Sequence, residues 1–390
     1  MKTILCIASY FKGNRFIEAA KANGWRVLLL TSFSIKDESW PWESIDEVYY
    51  IPDDKHKWHM PDVLKAVSHL ARTEVFDKIV PLDDLDLEKA AMLREHLRVP
   101  GYGETQTRFF RDKLAMRQRA REEGILVPHF IHALNYDQIS QFVANTPAPW
   151  VVKPRAEAGS MGIKKCHNAE ELWQVIHALE DEQSQYVLEQ FIPGDIYHVD
   201  SIWVNGKVLF QRVHKYAKPP LAVTQGGGIF CSHNVEYGSE EDKVLQKFNV
   251  QIQKTMGLNS GVAHAEFIQA HADGRFYFLE TAARAGGAHI ADMIEAYAGI
   301  NMWEEWGKIE TMDEEKGYKL PKVDKSYGGI LITVSRQHSP DYGSYTDPEV
   351  VWKLDDLTYH AGLVVKSKDY ERIQSLLNDY QQRFVQDYCA

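Results

Sequence analysis

The chain has 390 residues, 44% hydrophobic and 25% charged, with 44 Lys+Arg against 55 Asp+Glu and a formal net charge of −11. At about 150 residues per domain that length predicts two or three domains, and 25 glycines with 15 prolines in a near-average composition exclude disordered and fibrous classes. The acidic balance, with no basic block, argues against a nucleic-acid backbone as partner and leaves room for a small anion held by a few lysines. No apolar run approaches the ~18 residues of a membrane span, and the apolar residues 4–8 are too few for a signal peptide. Cys6, Cys166, Cys231 and Cys389 lack paired spacing, which speaks against zinc and a disulfide framework. The expectation is a soluble, cytoplasmic, multi-domain protein with no membrane partner.

In chain order, residues 3–8 read as a buried strand, 14–23 as a helix stopped by Gly24, and 27–31 and 78–81 as further strands. Strands alternating with helices predict an open parallel sheet. The stretch Tyr10-Phe11-Lys12-Gly13-Asn14 lacks GxGxxG, so a dinucleotide site is not expected. Asp83 and Asp84 follow a strand end and suit a helix cap. Asp112 can cap a helix over 113–123 that Gly124 ends. A helix near 136–145, a strand at 150–153, a small-residue loop at 156–162, an Asn168/Glu171 capping box and a strand at 186–192 follow. These read as a small α+β module set into a larger body.

The body continues with strands at 199–204 and 208–213 around Asn205-Gly206, the strongest hairpin signal in the chain. Residues 216–228 are irregular and read as a long surface loop, a form often used for lids and binding loops. A second hairpin joins 262–268 to 276–280 around Asp273-Gly274. Helices with apolar stripes are predicted at 289–298 and at the C-terminus, the latter with Ile373, Leu376, Leu377, Tyr380 and Phe384 on one face.

The second hairpin makes the sharpest chemical statement. Glu266 lies seven residues before Asp273, and Glu280 seven after. An odd-membered turn centred on Asp273 opposes the glutamates on one face, with Cβ atoms roughly 4.5–5.5 Å apart. Carboxylates so close in an apolar strand pair need a cation, and magnesium, with oxygen ligands at about 2.0–2.1 Å, fits the gap. A two-residue turn puts them on opposite faces, and two solvated strand glutamates are the plain alternative. Arg284, four residues past Glu280, shares their face if the backbone stays extended. A metal beside an arginine suits phosphoryl transfer. Gly286-Gly287 reads as the opening of a helix whose free N–H groups can hold an anion, or as an ordinary tight connection.

Two lysines supply the other half. Lys153 ends an apolar strand, where a charge is costly unless it points into a site. The following run Ala158-Gly159-Ser160-Met161-Gly162 is small enough for backbone N–H groups to wrap phosphates. Lys113 sits at a capped helix start, where lysines are usually solvated. The strand through Glu189, Gln190, Phe191 and Ile192 either offers backbone groups and apolar neighbours to an adenine ring or is a plain linker.

In their order these elements resemble the ATP-grasp superfamily from about residue 111 to 301. The strings that carry the likeness are Arg111-Asp112-Lys113, Val151-Val152-Lys153-Pro154-Arg155, Glu189-Gln190-Phe191-Ile192-Pro193-Gly194, His264-Ala265-Glu266 and Phe278-Leu279-Glu280-Thr281-Ala282-Ala283-Arg284. The resemblance implies an α/β and α+β multi-domain architecture. Residues 1–110 would be a Rossmann-like pre-ATP-grasp domain and 111–310 the ATP-grasp domain, with a mobile lid at about 125–190. Residues 311–390 would complete the catalytic body.

By the same resemblance Lys113 and Lys153 contact ATP phosphates, Gly159 to Gly162 close over them, and Glu189 to Ile192 hold adenine. Glu266 and Glu280 would bind two Mg²⁺, or Mn²⁺ in their place, and Arg284 would stabilise the transferred phosphoryl group. Two departures stand out. Many members have a metal-binding Asn where this chain has Ala282, and a ribose-binding Glu where it has Ile196. Asp195, His198 or Asp200 would substitute at the ribose, or the contact is lost. The Ala-Ala-Arg variant resembles the branch that includes amino-acid ligases.

The leading expectation is an ATP-dependent carboxylate–amine ligase that forms an amide through an acyl-phosphate, acting on small-molecule carboxylate and amine substrates. The alternatives are a carboxylase or formyl-transfer relative using bicarbonate or formate, and an ATP-binding regulatory protein without ligase chemistry. Lys215, leading into the 216–228 loop, is the candidate for substrate contact, together with Gly286 and Gly287; a solvated loop lysine is its alternative. A homodimer is expected by family analogy.

Overall fold

The structure is a computed structural model describing residues 1–313 and 315–389. Strands β1 (Thr3–Ala8), β2 (Arg26–Ser32), β3 (Glu47–Ile51) and β4 (Lys78–Pro81) pair in parallel in the order β3-β2-β1-β4. Helix α1 (Asn14–Ala22) joins β1 to β2, α2 (Met60–Leu70) joins β3 to β4, and α3 (Leu87–Leu97) follows β4. Every residue of β1 is buried, as expected of a strand covered on both faces. Strand β3 and helix α2, in a stretch of mixed polarity, carry too weak a pattern to read from sequence. Asp83 accepts from the Leu85 N–H and caps a short 3₁₀ turn at Asp84–Asp86, as its spacing suggests.

Two helices, α4 (Glu104–Arg108) and α5 (Lys113–Glu122), lead into a second sheet. Asp112 caps α5 by accepting from the Leu114 and Ala115 N–H groups. Strands β5 (Phe130–His132), β6 (Trp150–Pro154), β7 (Lys164–Cys166) and β8 (Tyr186–Gln190) form an antiparallel sheet in the order β5-β8-β6-β7. Helices α6 (Tyr136–Asn145) and α7 (Ala169–Ala178) contribute Ile139, Phe142, Leu172 and Ile176 to its core.

The largest sheet is antiparallel, with strands β9 (Gly194–Val204), β10 (Lys207–Tyr216), β11 (Phe230–Asn234), β12 (Gly261–Ala270), β13 (Phe276–Ala282), β14 (Tyr327–Val334), β15 (Val350–Lys353) and β16 (His360–Ser367). Their order is β13-β12-β9-β10-β11-β14-β16-β15, so segments beyond residue 311 complete the same sheet. The β9–β10 turn is Asn205-Gly206 with φ of 51° and 72°, the left-handed pair that a two-residue hairpin requires. Helices α8 (Pro220–Gly226), α9 (Glu240–Met256), α10 (Ile290–Ala298), α11 (Met302–Glu310) and α12 (Tyr370–Asp387) complete the chain. The five predicted stripe residues of α12 are all buried.

Three expectations of local structure are corrected. Residues 216–228 are not one irregular loop: Tyr216 ends β10 and is 4% exposed, and α8 follows, its first turn started by Pro220. Strand β13 ends at Ala282, so Arg284 leaves from a bend and not from extended backbone. Gly286-Gly287 does not open α10, which begins at Ile290 after two left-handed residues, Ala288 and His289 (φ 49° and 56°).

Candidate active site

A cavity of about 310 Å³ lies where the β5–β8 sheet faces the large sheet. Its walls come from Lys113, from Val151 and Lys153 of β6, from Gly159, Ser160 and Met161, and from Glu189, Gln190, Phe191 and Ile192. Gly194 and Ile196 of β9, Glu266 and Ile268 of β12, and Leu279 and Glu280 of β13 form its floor. Pro219 to Ala222, at the start of α8, close one side; they lie inside the 216–228 segment that the sequence marks as a lid or binding loop.

Glu266 and Glu280 are directly opposed across the β12–β13 ladder. The turn alone would not have opposed them. Near the turn the pairs are Gln269 with Phe276, Ile268 with Tyr277 and Phe267 with Phe278, a register that would set Glu266 against Leu279. A bulge between Glu266 and Phe267 leaves Leu279 unpaired and brings Glu280 opposite Glu266. A one-residue slip moves a side chain to the other face of a sheet, so this bulge decides that both carboxylates face the cavity.

Lys113 and Lys153 meet at the same cavity because Asp112 does two things. It caps α5, and its carboxylate pairs with Arg155 at the end of β6, while the Lys113 N–H donates to the Arg155 carbonyl. Lys113 Nζ then lies 3.1 Å from Glu280 Oε2 and donates to the Glu157 carbonyl at 2.6 Å. Burial opposes ionisation of Glu280, yet Lys113 and Lys153 hold its carboxyl down to about 2. Lys153 Nζ lies 2.7 Å from Glu189 Oε2, and Arg117 Nε donates to Glu189 Oε1 at 2.8 Å. Burial, with Arg117 and Lys113 nearby, brings the Lys153 ammonium down to about 8 against the pull of Glu189.

The Glu189 side chain is therefore a buried counter-ion to two cations, not an open edge for a ligand. Along the same strand the Gln190 N–H donates to the His129 carbonyl and the Phe191 N–H to that of Pro149. Among the described residues the Ile192 N–H has no such partner, which leaves it as the donor free for a planar heterocycle. In the small-residue loop Gly159, Ser160 and Gly162 all adopt positive φ; the first two line the cavity, and Gly162 packs behind it against Pro154.

Several predicted residues lie elsewhere. Side chains alternate along a strand, so with Gly194 and Ile196 on the cavity floor Asp195 projects from the opposite face. There it pairs with Lys215 at 2.7 Å and His271 at 3.2 Å. The same alternation removes Lys215 from the cavity, since its neighbours His214 and Tyr216 occupy the face it would need. His198 is on the cavity face but fully buried, bonded to Asp200 and Ser232 at 2.7 Å each, and does not reach the cavity wall. None of the three is placed to touch a ligand there. Gly286 packs against Asp200 and His264, and Gly287 has open space around it.

Arg284 is not among the residues that line the cavity; its Nη2 lies 3.0 Å from Asp84 Oδ2 and its Nη1 donates to the Ala285 carbonyl. Asp84 opens the 3₁₀ turn that follows β4, so this ion pair joins two parts of the chain. No local signal in the sequence joins these residues.

The opposed carboxylates, with hard oxygen donors near two ammonium groups, suit Mg²⁺ or Mn²⁺. Among the described residues no helix is long and apolar enough to cross a membrane. A sequence model of the ATP-grasp domain matches residues 146–292. An L-arginine-specific L-amino acid ligase of Bacillus subtilis is 26% identical over 268 residues, covering 66% of this chain and 63% of the relative. The chain thus matches less than two thirds of that relative's length. In fold, the chain is similar to an L-amino acid ligase from Bacillus licheniformis (TM-score 0.76, 18% identity, 98% of this chain and 97% of that one). It is also similar to N5-carboxyaminoimidazole synthetase from Staphylococcus aureus complexed with ADP (TM-score 0.71, 16% identity, 98% and 97% covered).

Proposed function

This chain carries an ATP-grasp domain, and on that premise we propose that it is an ATP-dependent carboxylate–amine ligase. The observation that carries the reading is the opposed pair Glu266 and Glu280 facing Lys113 and Lys153 in one cavity. ATP and a divalent cation fit this donor set. Lys113 and Lys153 would hold the phosphates, the Gly159–Met161 backbone would cover them, and the Ile192 N–H would meet the adenine edge. Glu266 and Glu280 would hold Mg²⁺, which when bound neutralises charge on the phosphate oxygens.

The reaction needs no protein nucleophile. An oxygen of the substrate carboxylate attacks the γ-phosphorus, the bond to the β-phosphate oxygen breaks, and ADP leaves an acyl-phosphate. The amine then attacks the acyl carbon, inorganic phosphate departs, and the nitrogen gives up a proton to yield the amide. The protein's share is positioning and electrostatics. Arg284 offers a guanidinium to the transferring phosphoryl group, and Asp84 orients it. The domain division at about residues 110 and 310, the lid at 125–190 and a homodimer belong to the same reading.

The test is ADP release from ATP with panels of amino acids and small carboxylates, with and without a second amine. Turnover that requires both, and that is lost in Glu280→Gln and Arg284→Ala of unchanged circular dichroism, supports the ligase. Full activity in either variant, or turnover dependent on bicarbonate alone, overturns it.

A further inference from the structure

The floor of the cavity continues into a buried polar cluster that the reaction above does not use. Cross-strand pairing sets Glu280, Glu266, His198 and His214 in one row, and Ala282, His264 and Asp200 in the next. Asp200 is fully buried, and both its oxygens are engaged: Oδ1 with His264 Nδ1 at 2.9 Å, Oδ2 with His198 Nδ1 at 2.7 Å. A buried carboxylate is costly unless fully held, so its placement beneath the site calls for a reason.

We propose that Asp200 is a positioning residue for Glu266, acting through His264, so that one oxygen of Glu266 is reserved for the protein and the other for a divalent cation. This rests on the reading of Glu266 as a metal ligand. His264 Nε2 stands 3.6 Å from Glu266 Oε1, and the Tyr216 hydroxyl donates to that same oxygen at 2.9 Å. Glu266 Oε2 has no hydrogen bond among the described residues, which leaves it as the oxygen that would take a divalent cation. Gly286 leaves room for this pair: a Cβ there would stand 2.9 Å from Asp200 Oδ1 and 3.1 Å from His264 Nδ1, so a side chain at 286 would push the two groups out of place. The other ends of the cluster are also fixed, with His198 Nε2 on Ser232 Oγ and His214 Nε2 on the Tyr297 hydroxyl. Partners behind a metal ligand fix its orientation, and their loss typically costs about 10–100-fold in metal affinity.

The experiment titrates Mn²⁺ into the full chain with saturating ADP, by electron paramagnetic resonance, for wild type, Asp200→Asn, Gly286→Ala and Tyr216→Phe. The expected result is a Mn²⁺ Kd raised about tenfold or more in Asp200→Asn and Gly286→Ala, and less in Tyr216→Phe. ADP affinity without metal stays within about twofold. A Mn²⁺ Kd unchanged in the folded variants, or a parallel loss of metal-free ADP binding, overturns the proposal. So does a stoichiometric transition metal retained through purification and lost in Asp200→Asn, because the cluster would then be a metal site of its own. Should Asp200→Asn not fold, Gly286→Ala and Tyr216→Phe decide alone. Since the readout is binding, these shifts in the variants beside a wild-type chain that makes no amide leave the positioning intact and sink the ligase. A wild-type chain that makes amide with an unshifted Mn²⁺ Kd in the variants does the reverse.

Discussion

Arg284 Nη2 lies 3.0 Å from Asp84 Oδ2, joining residues 200 positions apart in the chain. Arg284 follows the strand that carries Glu280; Asp84 follows the last strand of the N-terminal parallel sheet. Ligands of open α/β sheets bind beyond the carboxyl ends of the strands, and here that end supplies an acid to the arginine that follows β13. Asp84 Oδ1 is buried without a hydrogen-bond partner, so the carboxylate is held through one oxygen alone.

Asp84→Asn removes the charge that orients Arg284. Hydrogen bonds to charged groups contribute about 1.5–3 kcal/mol, so amine-dependent ADP release should fall about 10–100-fold while thermal stability changes little. Steady-state kinetics beside a melting curve checks this; a rate within twofold of wild type would reduce the contact to a domain fastener.

Glu189→Gln leaves Arg117 and Lys153 buried without their counter-charge. Arg117 is 0% exposed and Glu189 3%. Removing one partner of such a pair typically costs about 3–5 kcal/mol. Urea unfolding should show a lower midpoint with an unchanged slope, and an unshifted midpoint would mean that water reaches the pair.

Nucleotide binding should weaken as pH rises through about 8. Burial holds the free Lys153 ammonium near that value, an anion favours its charged form, and each unit above it loses up to about tenfold in affinity. The stability contribution has the opposite sign. The unfolded chain keeps this proton up to about 10.5, so between about 8 and 10.5 the unfolded state binds more protons and stability from this group rises with pH. Calorimetric titration of metal-free ADP from pH 6.5 to 9.5 reads the first effect, and a flat profile contradicts it.

Gly307→Ala should loosen the seat of α1 on α11. A Cβ at that position would stand 2.6 Å from the Phe16 carbonyl oxygen and 2.9 Å from Ala19 Cβ, and a backbone atom cannot swing aside. Overpacking of this kind costs about 1–3 kcal/mol, enough to lower the melting temperature by several degrees. Calorimetry would show it, and an unchanged transition would mean that the helices slide apart freely.

Much of the local structure was legible. The β1, α6 and α12 patterns are strong because one turn or one strand suffices to display them. Lys153, Glu266 and Glu280 could be named because charged residues stand out in apolar strands, whereas Lys113 was named only by the family resemblance. Asp195, His198 and Lys215 were misplaced for one reason. A run of alternating residues shows that two faces exist, but not which face a neighbouring element leaves open. His198-Val199-Asp200 and His264-Ala265-Glu266 set polar residues at every second position of apolar strands, a pattern that names Glu266 and offers His198 and Asp200 to a ribose but does not reveal that the two runs meet.

The order of residue types along the chain determined the strand and helix inventory and the presence of two lysines, two glutamates and an arginine suited to a phosphate and a metal. Tertiary structure alone decided that the glutamates share a face, because a bulge between Glu266 and Phe267 overrides the register set by the turn. It alone decided that Arg284 meets Asp84 and that Asp200 stands behind Glu266. Periodicity is a property of a few neighbouring residues, whereas register and domain contact come from burial balanced over strands and helices far apart in the chain.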